Sequence, residues 1–196
     1  ASPRNAKQLA RLQELATRLP RTPLSLANSP GCFLGPAYQL DLVRPGAALY
    51  GINPTPGRPN PMRPVIQIEA PVLRVLPLDA PCAVGYGATH TAEQGARIAT
   101  IGIGYADGLP RSAGNAAKAL IRGHLVPIVG RISMDLTTLD VSGLAEDDVA
   151  IGTAVTLLAD AFDVDATAGA AGTIGYELLT RLGRRFRRNY SPAGGA

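Results

Sequence analysis

The chain has 196 residues, 46% of them hydrophobic and 17% charged, and a formal net charge of +4. These proportions are those of an ordinary globular protein; glycine (22) and proline (17) make up about a fifth of it, below the level that signals disorder but enough to favour a turn-rich, β-heavy chain over a helical bundle. No apolar run approaches the ~18 residues of a membrane span, no signal-peptide pattern opens the chain, and two cysteines, Cys32 and Cys82, cannot make a disulfide scaffold. A membrane partner is therefore not expected, and a reducing compartment is the default.

The opening segment reads as a helix. Leu9, Leu12, Leu15, Ala16 and Leu19 fall on one face, and Pro20 and Pro23 stop it. Leu24–Ala27 reads as a buried strand, followed by the polar turn Asn28-Ser29-Pro30-Gly31. Leu40–Val43, running into Arg44-Pro45-Gly46-Ala47, suggests a second αβ unit. Two such units are too few for a barrel, so residues 1–52 read as the C-terminal end of an incomplete α/β barrel. Residues 53–64 hold five prolines and read as a linker.

From residue 65 to 196 the pattern changes to alternation. Val65–Val75 and Arg97–Ile103 read as strands, as do Ala119–Ile121, Val126–Val129, Leu136–Val141 and Val155–Leu158, with turn residues such as Asp107-Gly108 and Arg122-Gly123 between them. This predicts an antiparallel all-β domain, a barrel or sandwich, with a late helix over Thr173–Leu182 and a final basic strand over Arg184–Tyr190.

The chemistry-bearing residues are individually modest. His90 and His124 have no carboxylate or cysteine partner at ligand spacing, so turn or surface positions fit them better than zinc, and no metal is expected. Gly102-Ile103-Gly104 suits a bulge or close packing better than a phosphate cradle. The basic tail (Arg181, Arg184, Arg185, Arg187, Arg188) fits a solvated strand face or an ion-paired subunit interface better than nucleic acid, because no basic stripe accompanies it and Trp is absent. Ser29 follows a strand end, where α/β folds bind phosphate, and Gly46 would let backbone N–H groups approach an anion. Tyr86 and Tyr105 sit in glycine-rich settings, either as turn aromatics or as phenols held at a cleft for proton transfer.

Six segments taken in order carry a more specific signal. They are Ala27-Asn28-Ser29; Val43-Arg44-Pro45-Gly46-Ala47-Ala48-Leu49-Tyr50-Gly51; Val84-Gly85-Tyr86-Gly87-Ala88-Thr89; Ile103-Gly104-Tyr105-Ala106-Asp107-Gly108; Gly130-Arg131-Ile132-Ser133-Met134-Asp135; and Thr173-Ile174-Gly175-Tyr176-Glu177. In these the chain resembles the C-terminal part of the alanine racemases, and the resemblance covers nearly its whole length. It implies an isomerase that interconverts L- and D-alanine with pyridoxal 5'-phosphate, supplying D-alanine for peptidoglycan precursors. It also implies a cytoplasmic head-to-tail homodimer, in which a (β/α)8 barrel from one subunit meets the β domain of the other.

Residue by residue, the resemblance implies that Ser29, the backbone N–H groups of Gly46 and Ala47, and the phenol of Tyr176 hold the cofactor phosphate. Arg44 would point at the pyridine nitrogen as a permanently protonated donor. Tyr86 would be the catalytic base acting on L-alanine; a phenol ordinarily keeps its proton near neutral pH, so this role needs positive charge nearby. The base on the opposite face would be the cofactor-holding lysine. Met134 would donate its backbone N–H to the substrate carboxylate. Tyr105 and Ile174 would form the inner wall of the access path, with Arg111, Arg131 and Asp135 as a polar layer behind. Ser133 stands where the family often has cysteine. The chain's two lysines, Lys7 and Lys118, lie outside the family's lysine-bearing barrel motif, so the expectation is a C-terminal fragment needing the N-terminal barrel portion of the same enzyme. Two other readings are a serine or broad-specificity racemase, and a non-catalytic β domain serving dimerisation or binding.

Overall fold

The structure, a computed structural model, describes residues 2–159 and 164–191; the remaining positions of the 65–196 expectation lie outside the described residues. The chain divides between Ile66 and Gln67 into two compact units.

In the first unit, Ser2 caps helix α1 (Pro3–Ala16), its side chain accepting the Arg4 N–H, and Pro3 occupies the first turn, where its missing donor costs nothing. Leu9, Leu12 and Ala16 are half-buried, whereas Leu15 and Leu19 are exposed. The expected strand at Leu24–Ala27 contracts to a single parallel bridge, Ser25 to Leu42. The Leu24 C=O receives the Asp41 and Leu42 N–H groups, the Asp41 carboxylate receives the Leu24 N–H, and the Arg44 N–H donates to the Ala27 C=O at 2.8 Å. Short helices α2 (Ser29–Cys32) and α3 (Pro36–Gln39) lie between these segments, and a 3-10 turn (Ala47–Tyr50) follows them. Between Tyr50 and Ile68 the described residues form only turns.

The second unit is built on six antiparallel strands: β1 (Ile68–Pro77), β4 (Arg97–Ile101), β5 (Lys118–Ile121), β6 (His124–Pro127), β7 (Thr137–Asp140) and β8 (Ala154–Leu158), in the order β6-β5-β8-β1-β4-β7. Just past β6, Ile128 bridges Leu139, and the Val129 N–H donates to the Thr138 C=O at 3.0 Å. The two outer strands thereby meet and the sheet closes nearly into a barrel, which removes the exposed edges that invite aggregation. Val72, Ala99, Ile101, Ile121, Leu139 and Val155 are fully buried. The alternation of β1 holds from Ile68 to Val72 and is then broken by a bulge between Val72 and Arg74 in the pairing with β4.

A second, short hairpin of β2 (Cys82–Val84) and β3 (His90–Ala92) went unread in the sequence. Its Val84 and Ala92 pack with Leu78, Ile98 and Val129 into a satellite core. This explains why β4 is buried on both faces: Ala99 and Ile101 on one, Ile98 on the other. Helix α4 (Val164–Ala170) precedes α5 (Gly175–Thr180), which is shorter than the expected Thr173–Leu182. Leu178 and Phe186 close over Ile68, Ile103 and Leu157, leaving a void of only about 10 Å³. The expected basic strand at Arg184–Tyr190 does not form. That segment is irregular and is attached through its side chains: Arg185 pairs with Asp107 and Asp135, and Arg188 donates to the Gly183 C=O.

Replacing Ile101 with alanine is expected to cost about 2–5 kcal/mol, because it opens a cavity in a closed core. Leu125→Ala, on the exposed face of β6, should stay within about 0.5 kcal/mol of the parent. Urea unfolding of both variants checks the contrast.

Candidate functional site

The first unit builds a donor cradle around one hydroxyl. The Asn28 side chain accepts the Gly31 N–H at 3.1 Å and so starts α2 with Ser29 buried at its first residue. Ser29 Oγ accepts the Gly46 N–H at 2.9 Å and the Ala48 N–H at 3.1 Å. With both lone pairs occupied, the hydroxyl can only donate its proton elsewhere. Among the described residues the Ala47 N–H, between those two amides, has no hydrogen-bond partner. Arg44, anchored through its backbone to Ala27, donates from its guanidinium to the Ser25 hydroxyl. The structure thus brings Ser29, Gly46 and Ala47 together. Gly46, expected as a phosphate donor, spends its N–H on Ser29, so the donors left for an anion are the Ser29 O–H and the Ala47 N–H. A buried hydroxyl fixed by two amides, beside an amide without a partner, fits a phosphate group.

In the second unit the β2–β3 hairpin carries Tyr86 on its five-residue loop, anchored by the satellite core beneath. Tyr86 opens a 3-10 turn (Tyr86–Ala88) and is 70% exposed. The loop lies on Arg131: a side chain at Gly85 would meet the Arg131 backbone N at 2.9 Å, and one at Gly87 the Arg131 guanidinium at 3.2 Å. Asn115 ties this region further, donating to Thr89 and accepting the Gly130 N–H.

Tyr105 opens another 3-10 turn, Tyr105–Asp107, which is stitched to the segment around Met134. The Tyr105 N–H donates to the Ser133 C=O and the Ala106 N–H to the Met134 C=O, both at 3.0 Å. A Cβ at Gly104 would fall 2.4 Å from both carbonyl oxygens, so the two segments cross backbone to backbone. Ser133 closes its own turn, its N–H donating to the Leu136 C=O and its Oγ receiving the Leu136 N–H. Among the described residues the Met134 N–H has no hydrogen-bond partner.

Arg111 and Arg131 line one cavity of about 490 Å³ with Thr89, Asn115 and Arg181; Tyr105 and Arg111 line another of about 360 Å³, again with Arg181. Ile174 and Tyr176, at the start of α5, are exposed and line neither of these two cavities. Asp135 pairs with Arg185 at 2.7 Å, and Arg185 also approaches the nearly buried Asp107 at 3.3 Å. The Asp135 hydrogen bond first, and the Asp107 charge second, raise the Arg185 pKa above its ordinary value, which leaves it a permanent cation. Ser25, Asp107, Asn115, Arg181 and Arg185 were not singled out as site residues from the sequence. Of these, only Asp107 carried a local signal, in Gly104-Tyr105-Ala106-Asp107-Gly108. Among the described residues no histidine, cysteine and carboxylate group clusters as a metal site, and neither cysteine is in a disulfide. Among the described residues no helix is long and apolar enough to cross a membrane.

The two units differ in kind: one is a nearly closed β unit presenting a glycine-framed tyrosine, and the other builds a hydroxyl–amide cradle. The family models agree: alanine racemase, N-terminal domain, matches residues 1–54, and alanine racemase, C-terminal domain, matches residues 65–190. The chain belongs to the alanine racemase family. It is 53% identical over 188 residues to an alanine racemase of Rhodospirillum rubrum, covering 96% of this chain and 50% of that protein. It is 48% identical to a catabolic alanine racemase of Mesorhizobium japonicum, covering 96% and 49%. Among solved structures it resembles the alanine racemase of Bartonella henselae with covalently bound pyridoxal phosphate (TM-score 0.91, 39% identity, 97% of this chain and 53% of that one). It also resembles the biosynthetic enzyme of Pseudomonas aeruginosa (TM-score 0.90, 36% identity, 98% and 54%). The chain spans about half the length of the curated relatives it matches.

Ser29→Ala is expected to cost about 1–3 kcal/mol, because it strips the acceptor from two amides at a buried site. Calorimetry gives the loss, and faster hydrogen exchange at Gly46 and Ala48 would locate it.

Proposed function

We propose that the protein to which this chain belongs interconverts L- and D-alanine with pyridoxal 5'-phosphate. On this reading, residues 1–52 are the C-terminal end of an α/β barrel, residues 53–64 are a linker, and the β domain begins at residue 65. The observation that carries the proposal is Tyr86, a phenol raised into the open on a hairpin loop whose base is locked by a hydrophobic core and whose underside rests on Arg131.

The residues present suit the cofactor. The Ser29 O–H and Ala47 N–H are donors without acceptors among the described residues, as a phosphate requires, and the family resemblance adds the Tyr176 phenol as a further donor. Arg44 would donate to the pyridine nitrogen. Pyridoxal phosphate, when bound, withdraws electrons from the substrate α-carbon and makes its proton removable. Tyr86 exchanges that proton on the face from which L-alanine loses it. The Met134 N–H, without a partner among the described residues, donates to the substrate carboxylate. Tyr105 and Ile174 wall the access path, and Arg111, Arg131 and Asp135 form its polar layer. The guanidinium groups of that layer suit the substrate carboxylate, and the wall admits only a small substrate.

Racemisation needs a second base on the opposite face. Lys7 sits on α1 and Lys118 begins β5; neither matches the family's lysine motif, so the cofactor-holding lysine comes from sequence outside residues 1–196. The exposure of Tyr86 suits a head-to-tail homodimer, in which the tyrosine of one subunit serves the barrel of the other. The protein works in the cytoplasm, on free alanine, without metal or nucleic acid.

In the full-length protein, Tyr86→Phe is expected to slow α-proton exchange from L-alanine by about 10²–10⁴-fold, with a much smaller effect from D-alanine. Exchange into deuterated water, followed separately for each enantiomer, tests this. Equal losses from both would remove Tyr86 from its role.

A further inference from the structure

We propose that Arg185 is a positioning residue: by pairing with Asp107 and Asp135 at once, it locks the Tyr105–Asp107 turn to the Ser133–Asp135 turn and so aims the Met134 N–H at the substrate carboxylate. The last step rests on the racemase reading above; the lock itself does not.

The two turns touch through very little. Two backbone hydrogen bonds join them, and the crossing at Gly104 brings carbonyl oxygens close to its Cα with no side chain between. The Met134 and Leu136 side chains are exposed and pack little against it, while Ile103 and Ile132 on its flanks are buried. Asp107 reaches into it. One carboxylate oxygen accepts the Gly104 N–H at 2.9 Å, and the other faces Arg185 Nε. A carboxylate this far from water needs a cation, and Arg185 supplies it. The same guanidinium then extends Nη1 to Asp135, the residue after Met134. A planar fork can hold two carboxylates at a fixed separation; a lysine ammonium cannot impose that geometry.

Arg185 is itself held in place, which lets a half-exposed side chain act as a clamp. The next residue, Phe186, packs with Ile68, Ile103 and Leu178. The Gly183 N–H donates to the Asp107 C=O at 3.2 Å, and Arg188 caps the Gly183 C=O at 3.1 Å. The segment expected from its sequence to be a strand is thus spent on delivering one guanidinium between two turns.

The test uses the full-length protein and the variants Arg185→Gln, Arg185→Lys and Asp135→Asn. Hydrogen exchange is read at the amides of Tyr105, Ala106, Ser133 and Leu136, which make the bonds within and between the turns, with the β4 amides as control. Arg185→Gln is expected to speed exchange at the four turn amides by about tenfold and leave β4 unchanged. It should also raise KM for L-alanine by about tenfold, with kcat within about twofold, since the loss falls on carboxylate binding. Asp135→Asn should reproduce both effects, and adding it to Arg185→Gln should change little more. Arg185→Lys should fall between. Unchanged exchange at the turn amides overturns the lock. Faster exchange with KM unmoved, or a fall in kcat alone, overturns the aiming of Met134. A global loss of stability that also speeds β4 exchange in both Arg185→Gln and Arg185→Lys reduces Arg185 to a purely structural role and likewise overturns the proposal. A parent protein that does not racemise alanine fails the functional reading, while the exchange measurements still decide the lock.

Discussion

The close approach of one backbone to another governs the second unit. At Gly104 the chain passes over the Ser133 and Met134 carbonyls, and at Gly130 it passes over the Val84 carbonyl, in both places nearer than any Cβ would allow. These crossings gather turns from distant parts of the sequence, which bear Tyr86, Tyr105, Arg131 and Met134. Contacts of this kind need no side-chain fit, so they place the turns with little freedom to drift. They also demand glycine, and this accounts for the glycine-rich setting of each tyrosine.

Two separate cores sit under those crossings. The larger lies inside the nearly closed sheet, around Val72, Ile101, Leu139 and Val155; the smaller lies outside it, where Ile98 meets Leu78, Val84, Ala92 and Val129. A hairpin of two three-residue strands would be marginal by itself, and the outer core is what fixes it. The polar turns are therefore carried by rigid elements with packing on both sides of β4, an arrangement suited to holding reactive groups at set positions.

Much of this was legible in the sequence, for physical reasons that differ from place to place. Arg97–Ile103 and Leu136–Val141 were readable as strands; the alternation survives as alternating burial in β7, whereas β4 is buried on both faces because the outer core covers Ile98. The β2–β3 hairpin was hidden because three residues are too few to show a period. Helix α4 is seven residues long and has only valine and alanine as apolar residues, too short and too plain to show a helical period. At Arg184–Tyr190 the composition misled: the segment looks like a basic strand, but Phe186 is drawn into the core and Arg185 to two carboxylates, and those long-range attachments override the local pattern. The cradle residue Ser29 was visible from its place after a strand end. That Gly46 would serve the serine instead of an anion was not, since only the folded geometry shows where an amide points.

Ser29 carries a further consequence. Its oxygen already receives two amide hydrogens, so the hydroxyl has become a one-way group, able to give a hydrogen and unable to take one. A guest arriving at that spot with a hydrogen of its own finds no lone pair to greet it. The site thereby welcomes only a partner that brings a lone pair, and two peptide bonds are enough to set that polarity.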